Sequence, residues 1–565
     1  MILSSESQIR EYTEKGAWGT ETLSDLFLRN VRASPSALAV ADPPNRADLV
    51  FGQPKRLTWA ELARLVDNLA STLVKRGIKK DDVILVQLPN VVELVMTYLA
   101  AARIGAILTP VPVQYRTHEL NQVAALTEPR ALITAKNFAG FGLLDMALGA
   151  RASIPSLTVV VAVGTDLPSG VLSFEEILLS PGYPRELDAY LRETTVSAND
   201  VHTICWTSGT EADPKGVPRS HNHWIWIAYA SIDGCALEPG ATLLNPFPMV
   251  SMAGIGGMFV PWLILGGKLA LHHPLSLPLF LGQIEAEKVD YTVVPPALLT
   301  MLLMRPELMQ SADLSSVKTI GSGSAPLSPW MVKEWQDKHG IRVVNVFGSN
   351  EGTSFTSGPN EFPDPGERAQ FFPRFGVKGF EWRSRVAANM ETKLVEPVTK
   401  TTINVAGIPG EMAIRSPGIF AGYWRRPDLT AKVFDEGGFF YTGDLFEIAG
   451  KGREFNRYKF VGRLKDIIIR GGTNISSEEI EALIAEHPKV LEVAVVGHPD
   501  ERLGEKVCAV VVPAKGQSVT LEEIVAFLKG KDIAVYKLPE KLLVVEALPK
   551  NPVGKVLKRL LRNRD

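Results

Sequence analysis

HTICWTSGTEADPKGV, His202 to Val217, is the stretch from which the fold is read. A short apolar run passes into a loop of hydroxyls and glycine, Thr207, Ser208, Gly209 and Thr210, followed by Lys215 and Gly216. Strands that end in such loops belong to open α/β sheets, whose ligands lie beyond the carboxyl ends of the strands. Small residues let backbone N–H groups approach anionic oxygens, hydroxyls add donors, and a lysine compensates charge. The pattern is not a Walker loop, because the lysine precedes the second glycine. By itself it reads nearly as well as a surface turn carrying a solvated lysine.

Outward from this loop, helical and strand signals alternate. Leu57 to Gly77 carries apolar residues at helical spacing, with Thr58 as N-cap and Gly77 as the stop. DVILVQLPN (Asp82 to Asn90), RALIT (Arg130 to Thr134), LTVVVAVG (Leu157 to Gly164), DYTVVPP (Asp290 to Pro296) and RVVNVFG (Arg342 to Gly348) read as buried strands. The expectation is an α/β fold: a large N-terminal domain, 1–464, of stacked α/β layers with largely parallel strands. Between Asn360 and Pro409 the composition turns to Pro, charge and irregular spacing, which reads as loops or insertions. A β-rich subdomain is expected from about Gly410. The pattern after Asp466 is strand, helix, two strands, helix, enough for a separate small α+β domain, 465–565.

At 565 residues the chain exceeds one compact core. Lys plus Arg total 60 against 62 for Asp plus Glu, so no global field is available to hold nucleic acid or an anionic membrane. The three cysteines, Cys205, Cys235 and Cys508, lie far apart and in no metal-ligand spacing, which fits a reduced, cytoplasmic protein. No secretory signal opens the chain. Val91 to Val113 contains Glu93 and Arg103, while Met252 to Leu265 is short and broken by glycines and Pro261, so both read as buried elements rather than transmembrane segments.

Four further motifs accompany the loop: FGSNEG (Phe347 to Gly352), YTGD (Tyr441 to Asp444), GRLKDIIIRGGTNISSEEIE (Gly462 to Glu481) and PKNPVGKVLKR (Pro549 to Arg559). In this order and spacing the chain resembles the adenylate-forming superfamily of acyl-CoA synthetases, adenylation domains and luciferases, from about Thr22 to Arg562. The resemblance implies ATP, Mg²⁺ and CoA as cofactors and a small-molecule carboxylic acid as substrate. It gives Thr207, Ser208, Gly209, Thr210 and Lys215 to the phosphates, and Glu351 to Mg²⁺ through oxygen ligation. Phe347 would lie against the adenine and Asn345 would bond its amino edge, one strand face carrying both. Ser324 and Ala325, within GSGSAPL, would flank the adenine's other side. Asp444 would accept from the ribose hydroxyls with Arg463 beside it, although Arg463 reads equally as half of a structural ion pair.

The same resemblance makes Lys555 the catalytic cation, bridging carboxylate and α-phosphate as their repulsion grows. Its alternative is a place in a basic C-terminal stretch with Lys550, Lys558, Arg559, Arg562 and Arg564. Lys465 matches the hinge on which the small, mobile domain turns between half-reactions. Gly471 and Gly472 would line the pantetheine tunnel, or form a plain turn. Acid-pocket candidates are Ser251, Met252, Gly254, Ser324, Val346 and Gly348. Departures are equally specific: Glu211 and Ala212 replace a hydroxyl and a glycine, Ser251 stands where many relatives carry histidine, and Asn350 replaces the commoner threonine. Ser251 implies extra room beside the acid. YTEKGAW (Tyr12 to Trp18) and the FGxxEG form are similar to aryl-acid-activating members and point to a cyclic or aromatic acid. The implied activity is acyl-AMP formation with pyrophosphate release, then transfer to CoA. Loading of a carrier-protein phosphopantetheine is the alternative acceptor, and a non-catalytic binding protein is the third reading. The chain is expected as a monomer or homodimer.

Overall fold

The architecture turns on VELVMTYLAAARI, a helix over Val92–Ile104 that is apolar on every side and buries every residue but Arg103. A helix with no polar face has to be covered all round. In the computed structural model, which describes residues 1–207, 214–310, 312–450, 455–471, 473–500, 502–531, 533–551 and 554–562, two sheets supply that cover. One has seven strands: Val83–Gln87, Ile107–Pro110, Ala131–Ala135, Val159–Val163 and Leu172–Ser173 are parallel to their neighbours, and the hairpin Val201–Thr207/Lys215–Ser220 closes the edge. The other has eight strands with a parallel centre and antiparallel edges at Arg56–Thr58 and Ser354–Ser357.

Helices Trp59–Lys75, Val92–Ile104 and His221–Gly234 fill the space between them, with Trp59 and Trp262 stacked at 4.9 Å in the middle. Separate cores cover the outer faces, Leu120, Val123 and Leu144 on the seven-stranded sheet and Leu281, Met331 and Trp335 on the eight-stranded one. The expected stacked layers are present. Thr58 caps its helix as expected, in a reciprocal box with Glu61.

The start of the central helix has no cap of its own, and a buried ionic cluster supplies one. Asp42 Oδ1 accepts the Val92 N–H at 2.8 Å. Arg46 then donates to Asp42 at 2.8 Å and to both oxygens of Glu93 at 2.7 and 2.8 Å, and Lys55 joins Glu93 at 2.6 Å. Glu93 lies in the first helical turn, where the helix dipole favours an anion.

The run Met252 to Leu265 is neither a span nor one regular helix. It divides into a turn at Met252–Gly254, a five-residue π-helical turn at Ile255–Phe259 and a helix at Val260–Leu265 with Pro261 in its first turn. Among the described residues no helix is long and apolar enough to cross a membrane.

Helix His221–Gly234 ends hard against the strand Ser354–Ser357. A Cβ on Gly234 would sit 2.1 Å from Thr356 Oγ1, and one on Gly358 would sit 1.9 Å from the Gly234 carbonyl.

The segment read as loops before Pro409 requires a correction. Phe371–Pro373, Glu391–Val395 and Thr402–Ile403 are strands of the six-stranded antiparallel sheet, which therefore starts well before Gly410. They are too short to show a period, and distant partners hold them: Phe372 faces Tyr458, and Leu394 faces Met412. After Arg463 comes a five-stranded sheet built on the long pair Val490–Asp500 and Gly504–Pro513. Helices Ser477–Ile484 and Leu521–Gly530 pack Ile480, Ile484, Ile524 and Leu528 onto it.

Candidate active site

The hairpin Val201–Thr207/Lys215–Ser220 brings Thr207 opposite Lys215 in register. Ser208, Gly209, Thr210 and the departures Glu211 and Ala212 lie outside the described residues, as does Gly472. From Lys215 the ammonium reaches over the Tyr423 ring at 5.5 Å, and the Tyr423 hydroxyl donates to Glu351 Oε1 at 3.1 Å. Burial, with the Glu351 charge behind it, pushes that phenol well above its ordinary range. The Glu351 carbonyl accepts the Phe420 N–H at 2.8 Å, fixing the turn from its other side. Lys215, Tyr423 and Glu351 thus converge at the end of the loop.

Strand Arg342–Gly348 carries Asn345, Val346, Phe347 and Gly348. Asn345 is buried and donates through Nδ2 to the Ala369 carbonyl at 2.8 Å, which orients its amide. Phe347 meets Phe446 at 5.2 Å and Phe460 at 5.7 Å, joining this strand to the six-stranded sheet. On the neighbouring strand Gly323 lies so close that a Cβ would stand 1.9 Å from the Val346 carbonyl. Ser324 follows at φ +69°, a left-handed conformation costly for a non-glycine, and both Ser324 and Ala325 are exposed. A Cβ on Gly348 would lie 3.6 Å from Met252 Cγ, so this strand end and the acid-pocket candidates adjoin. Gly254 sits within 2.4 Å of the Pro248 carbonyl by the same measure, which leaves no room for a side chain. Ser251 precedes the Met252–Gly254 turn and makes no capping bond through its side chain.

Asp444 and Arg463 face each other across the pair Phe440–Ala449/Arg457–Arg463, with Arg463 Nε 3.4 Å from Asp444 Oδ1. Burial pushes the Asp444 carboxyl up to about 7; Glu351 and Glu478 add to this, while Arg463 and Lys465 oppose it. Glu478 comes from helix Ser477–Ile484 of the C-terminal sheet, whose Oε2 would lie 2.9 Å from a Cβ on Gly462.

Lys465 lies in the turn Leu464–Asp466, whose backbone Arg562 grips through the Lys465 carbonyl and the Asp466 carboxylate. Gly471 turns the hairpin at φ +57°, donating to the Leu503 carbonyl at 2.7 Å. Lys555 is exposed, on a loop closed by Asn551 at 2.8 Å. Among the described residues no hydrogen bond or ion pair joins Lys555 to Glu351 or Asp444; the Glu478 helix faces Asp444 instead.

One residue at this site had no place in the sequence reading. Arg219 is fully buried, stacks over Trp224 at 4.9 Å, and donates through Nη1 to the Asn350 carbonyl at 3.1 Å. Its Nε and Nη2 have no partner among the described residues, and burial lowers its pKa to about 10 against the pull of Cys205 and Glu351. A Cβ on Gly352 would lie 2.4 Å from Nη1, so the guanidinium lies directly beneath the Glu351–Gly352 turn. The available signal was an arginine sharing a strand face with Val217 just ahead of a helix rich in tryptophan and isoleucine.

Among the described residues no group of three or more His, Cys, Asp or Glu side chains could hold a metal. A single carboxylate beside a hydroxyl-bearing loop suits Mg²⁺, which takes one or two carboxylates and leaves its other positions to phosphate oxygens and water.

Comparison with known proteins gives the family. The family model "AMP-binding enzyme" matches residues 34–424, and "AMP-binding enzyme C-terminal domain" matches 479–555. The medium-chain fatty-acid–CoA ligase of Escherichia coli (strain K12) is 31% identical over 564 residues, covering 99% of this chain and 93% of its own. The indoleacetate–CoA ligase of Aromatoleum aromaticum is 33% identical over 508 residues, covering 89% and 92%. The crystal structure of ATP-bound MatB from Rhodopseudomonas palustris superposes with a TM-score of 0.75 at 26% identity, covering 96% of this chain and 98% of that one. The chain belongs to the AMP-binding enzymes and is a ligase.

Proposed function

We propose that the protein activates a carboxylic acid with ATP, forming acyl-AMP and releasing pyrophosphate, and then transfers the acyl group to CoA. The convergence of Thr207, Lys215, Tyr423 and Glu351, with Asp444 and Arg463 on the adjoining sheet, carries this reading. In the first step a carboxylate oxygen attacks the α-phosphorus and the bond to the β-phosphate oxygen breaks. In the second the CoA sulfur attacks the acyl carbon, the bond to AMP breaks, and the thiol proton leaves to solvent.

Thr207 and Lys215, with Ser208, Gly209 and Thr210, hold the phosphates. Glu351 holds Mg²⁺, which when bound neutralises phosphate charge. Tyr423 orients Glu351 from behind by its hydrogen bond. Phe347, Asn345, Ser324 and Ala325 frame the adenine, and Asp444 and Arg463 the ribose. The acid lies against Ser251, Met252, Val346 and Gly348, with Gly254 keeping the turn close. Three cysteines that are free and buried fit a cytoplasmic setting.

Residues 1–464 bind ATP and acid, and 465–565 carry Lys555 and turn about Lys465. Lys555 serves adenylation, then moves away as Gly471 and Gly472 approach the thiol. Two half-reactions measured on two variants test this. Lys555→Ala should cut pyrophosphate release on the order of 10²–10³-fold yet still convert supplied acyl-AMP and CoA to thioester. Lys465→Pro should do the reverse, its fixed φ restricting the hinge. Equal loss of both halves in a folded Lys555→Ala protein would exclude alternation. Production of ADP and phosphate without AMP would exclude adenylation altogether. Ser251→Phe should penalise bulky acids over short ones by about 1–3 kcal/mol; equal losses would remove Ser251 from the acid pocket.

A further inference from the structure

Three polar groups of Asn350 engage three different segments. Its Oδ1 accepts the Met252 N–H at 2.9 Å, its Nδ2 donates to the Trp206 carbonyl at 3.2 Å, and its own carbonyl accepts Arg219 Nη1 at 3.1 Å. Trp206 and Arg219 stand on the two strands that lead into and out of segment 208–213. Met252 opens the helical turn beside the acid. The first N–H groups of a helix need acceptors from outside, and Ser251 supplies none with its side chain, so Asn350 acts in its place. Both strands that flank segment 208–213 and the start of the acid-site turn are therefore tied to one residue.

We infer that Asn350 is a positioning residue, setting the acid-site turn in register with the strands of the phosphate loop so that carboxylate and α-phosphate meet in line. The inference rests on the adenylation reading. Spanning Met252 N–H and Trp206 C=O requires an acceptor and a donor on separate atoms at the end of a side chain, as a carboxamide provides. A serine or threonine hydroxyl offers one shorter atom for both. Reacting groups must be held within about 3–3.5 Å in alignment, and a misplacement of about 1 Å costs on the order of 10²-fold. Acyl-AMP has that bond already made, so thioester formation makes no such demand. ATP contacts at the adenine and ribose come from other segments.

Asn350→Leu and Asn350→Ser test the assignment. Each should lower kcat for pyrophosphate release about 30–100-fold, leave KM for ATP within about threefold, and spare conversion of supplied acyl-AMP and CoA. A purely structural role would lower both half-reactions together, and that result, or an unchanged adenylation rate, would overturn the inference. Hydrogen exchange reads the clasp without turnover: the peptide containing Met252 should exchange faster in Asn350→Leu than in the parent protein. Unchanged exchange there would also overturn it. Absence of pyrophosphate release by the parent protein with every acid tried would instead strike the adenylation reading, and the exchange result would still decide the clasp.

Discussion

Two clusters of buried acids and cations in the large domain are wired in opposite ways. At the head of the central helix, Glu93 is touched by Arg46 through two hydrogen bonds and by Lys55 through a third. Burial alone would raise the Glu93 carboxyl, yet those two cations carry it below its ordinary value. Asp444 is also buried, but its nearest cation, Arg463, stands 3.4 Å away and is about one-third exposed, and the carboxyl is pushed up to about 7. In the first cluster both oxygens of Glu93 have cationic partners within the chain, although Arg46 Nε has no partner among the described residues and burial, with Glu93 beside it, pushes Asp42 up to about 6. Among the described residues the Asp444 carboxylate is short of donors, which fits its proposed role of accepting from ribose hydroxyls. The contrast lies between Glu93, saturated by cations as a structural ion pair is, and Asp444, left with room for a ligand's donors.

The comparison breaks most visibly at Arg46. Arg46→Met should cost about 3–5 kcal/mol, because Glu93 is left buried and underpaired. Urea denaturation should show this as an earlier first transition, and a loss under about 1 kcal/mol would mean the cluster does not hold the helix.

Next in size is the titration of Asp444. Its folded pKa lies above the unfolded value, so its contribution to stability is intact below about pH 4 and is withdrawn as pH rises through about 7. Ribose binding runs the other way, since the ionised carboxylate is the better acceptor. Adenosine, which carries no phosphate to titrate, should bind about five- to tenfold tighter at pH 8 than at pH 6. Asp444→Asn should flatten that dependence in calorimetric titrations; a slope surviving in the variant would assign it to another group.

Arg463→Gln should have the smallest effect. An ion pair this open contributes little, so thermal stability should move by less than about 1 kcal/mol. Asp444 should titrate higher still, and KM for ATP should rise a few-fold near neutrality and recover at higher pH. A large loss of stability with no effect on ATP would make the pair structural.

How far the sequence revealed this molecule depended on the range of the interactions involved. Strands such as Val159–Val163 and the helix capped by Thr58 carry their signals within a few residues, and the structure has them where the periodicity put them. Glu391–Val395 did not show itself, because five residues with two charges acquire a strand's identity only from Met412 and its neighbours. Family resemblance put Gly348 and Met252 among the acid-pocket candidates, and a Cβ on Gly348 would lie 3.6 Å from Met252 Cγ. The work of Asn350 was not legible. A departure from threonine showed at that position, but its partners, Trp206 and Met252, are far away in sequence and are backbone groups with no residue signature. Arg219 escaped for a similar reason, since a buried cation looks like an exposed one until its surroundings are known.

The contact between Gly234 and Gly358 bears on how this protein can change over generations. Gly358 is crowded by the main chain of Gly234, which no side-chain change can withdraw, whereas Gly234 is crowded by the side chain of Thr356. A side chain at Gly358 meets a clash that no change of another side chain relieves, while one at Gly234 requires Thr356 to give way first. Met252 and Ser251, proposed to line the acid pocket, lie outside this contact. The seam where helix His221–Gly234 meets the strand ending at Ser357 is thus a point at which the backbone itself restricts which sequences the fold accepts.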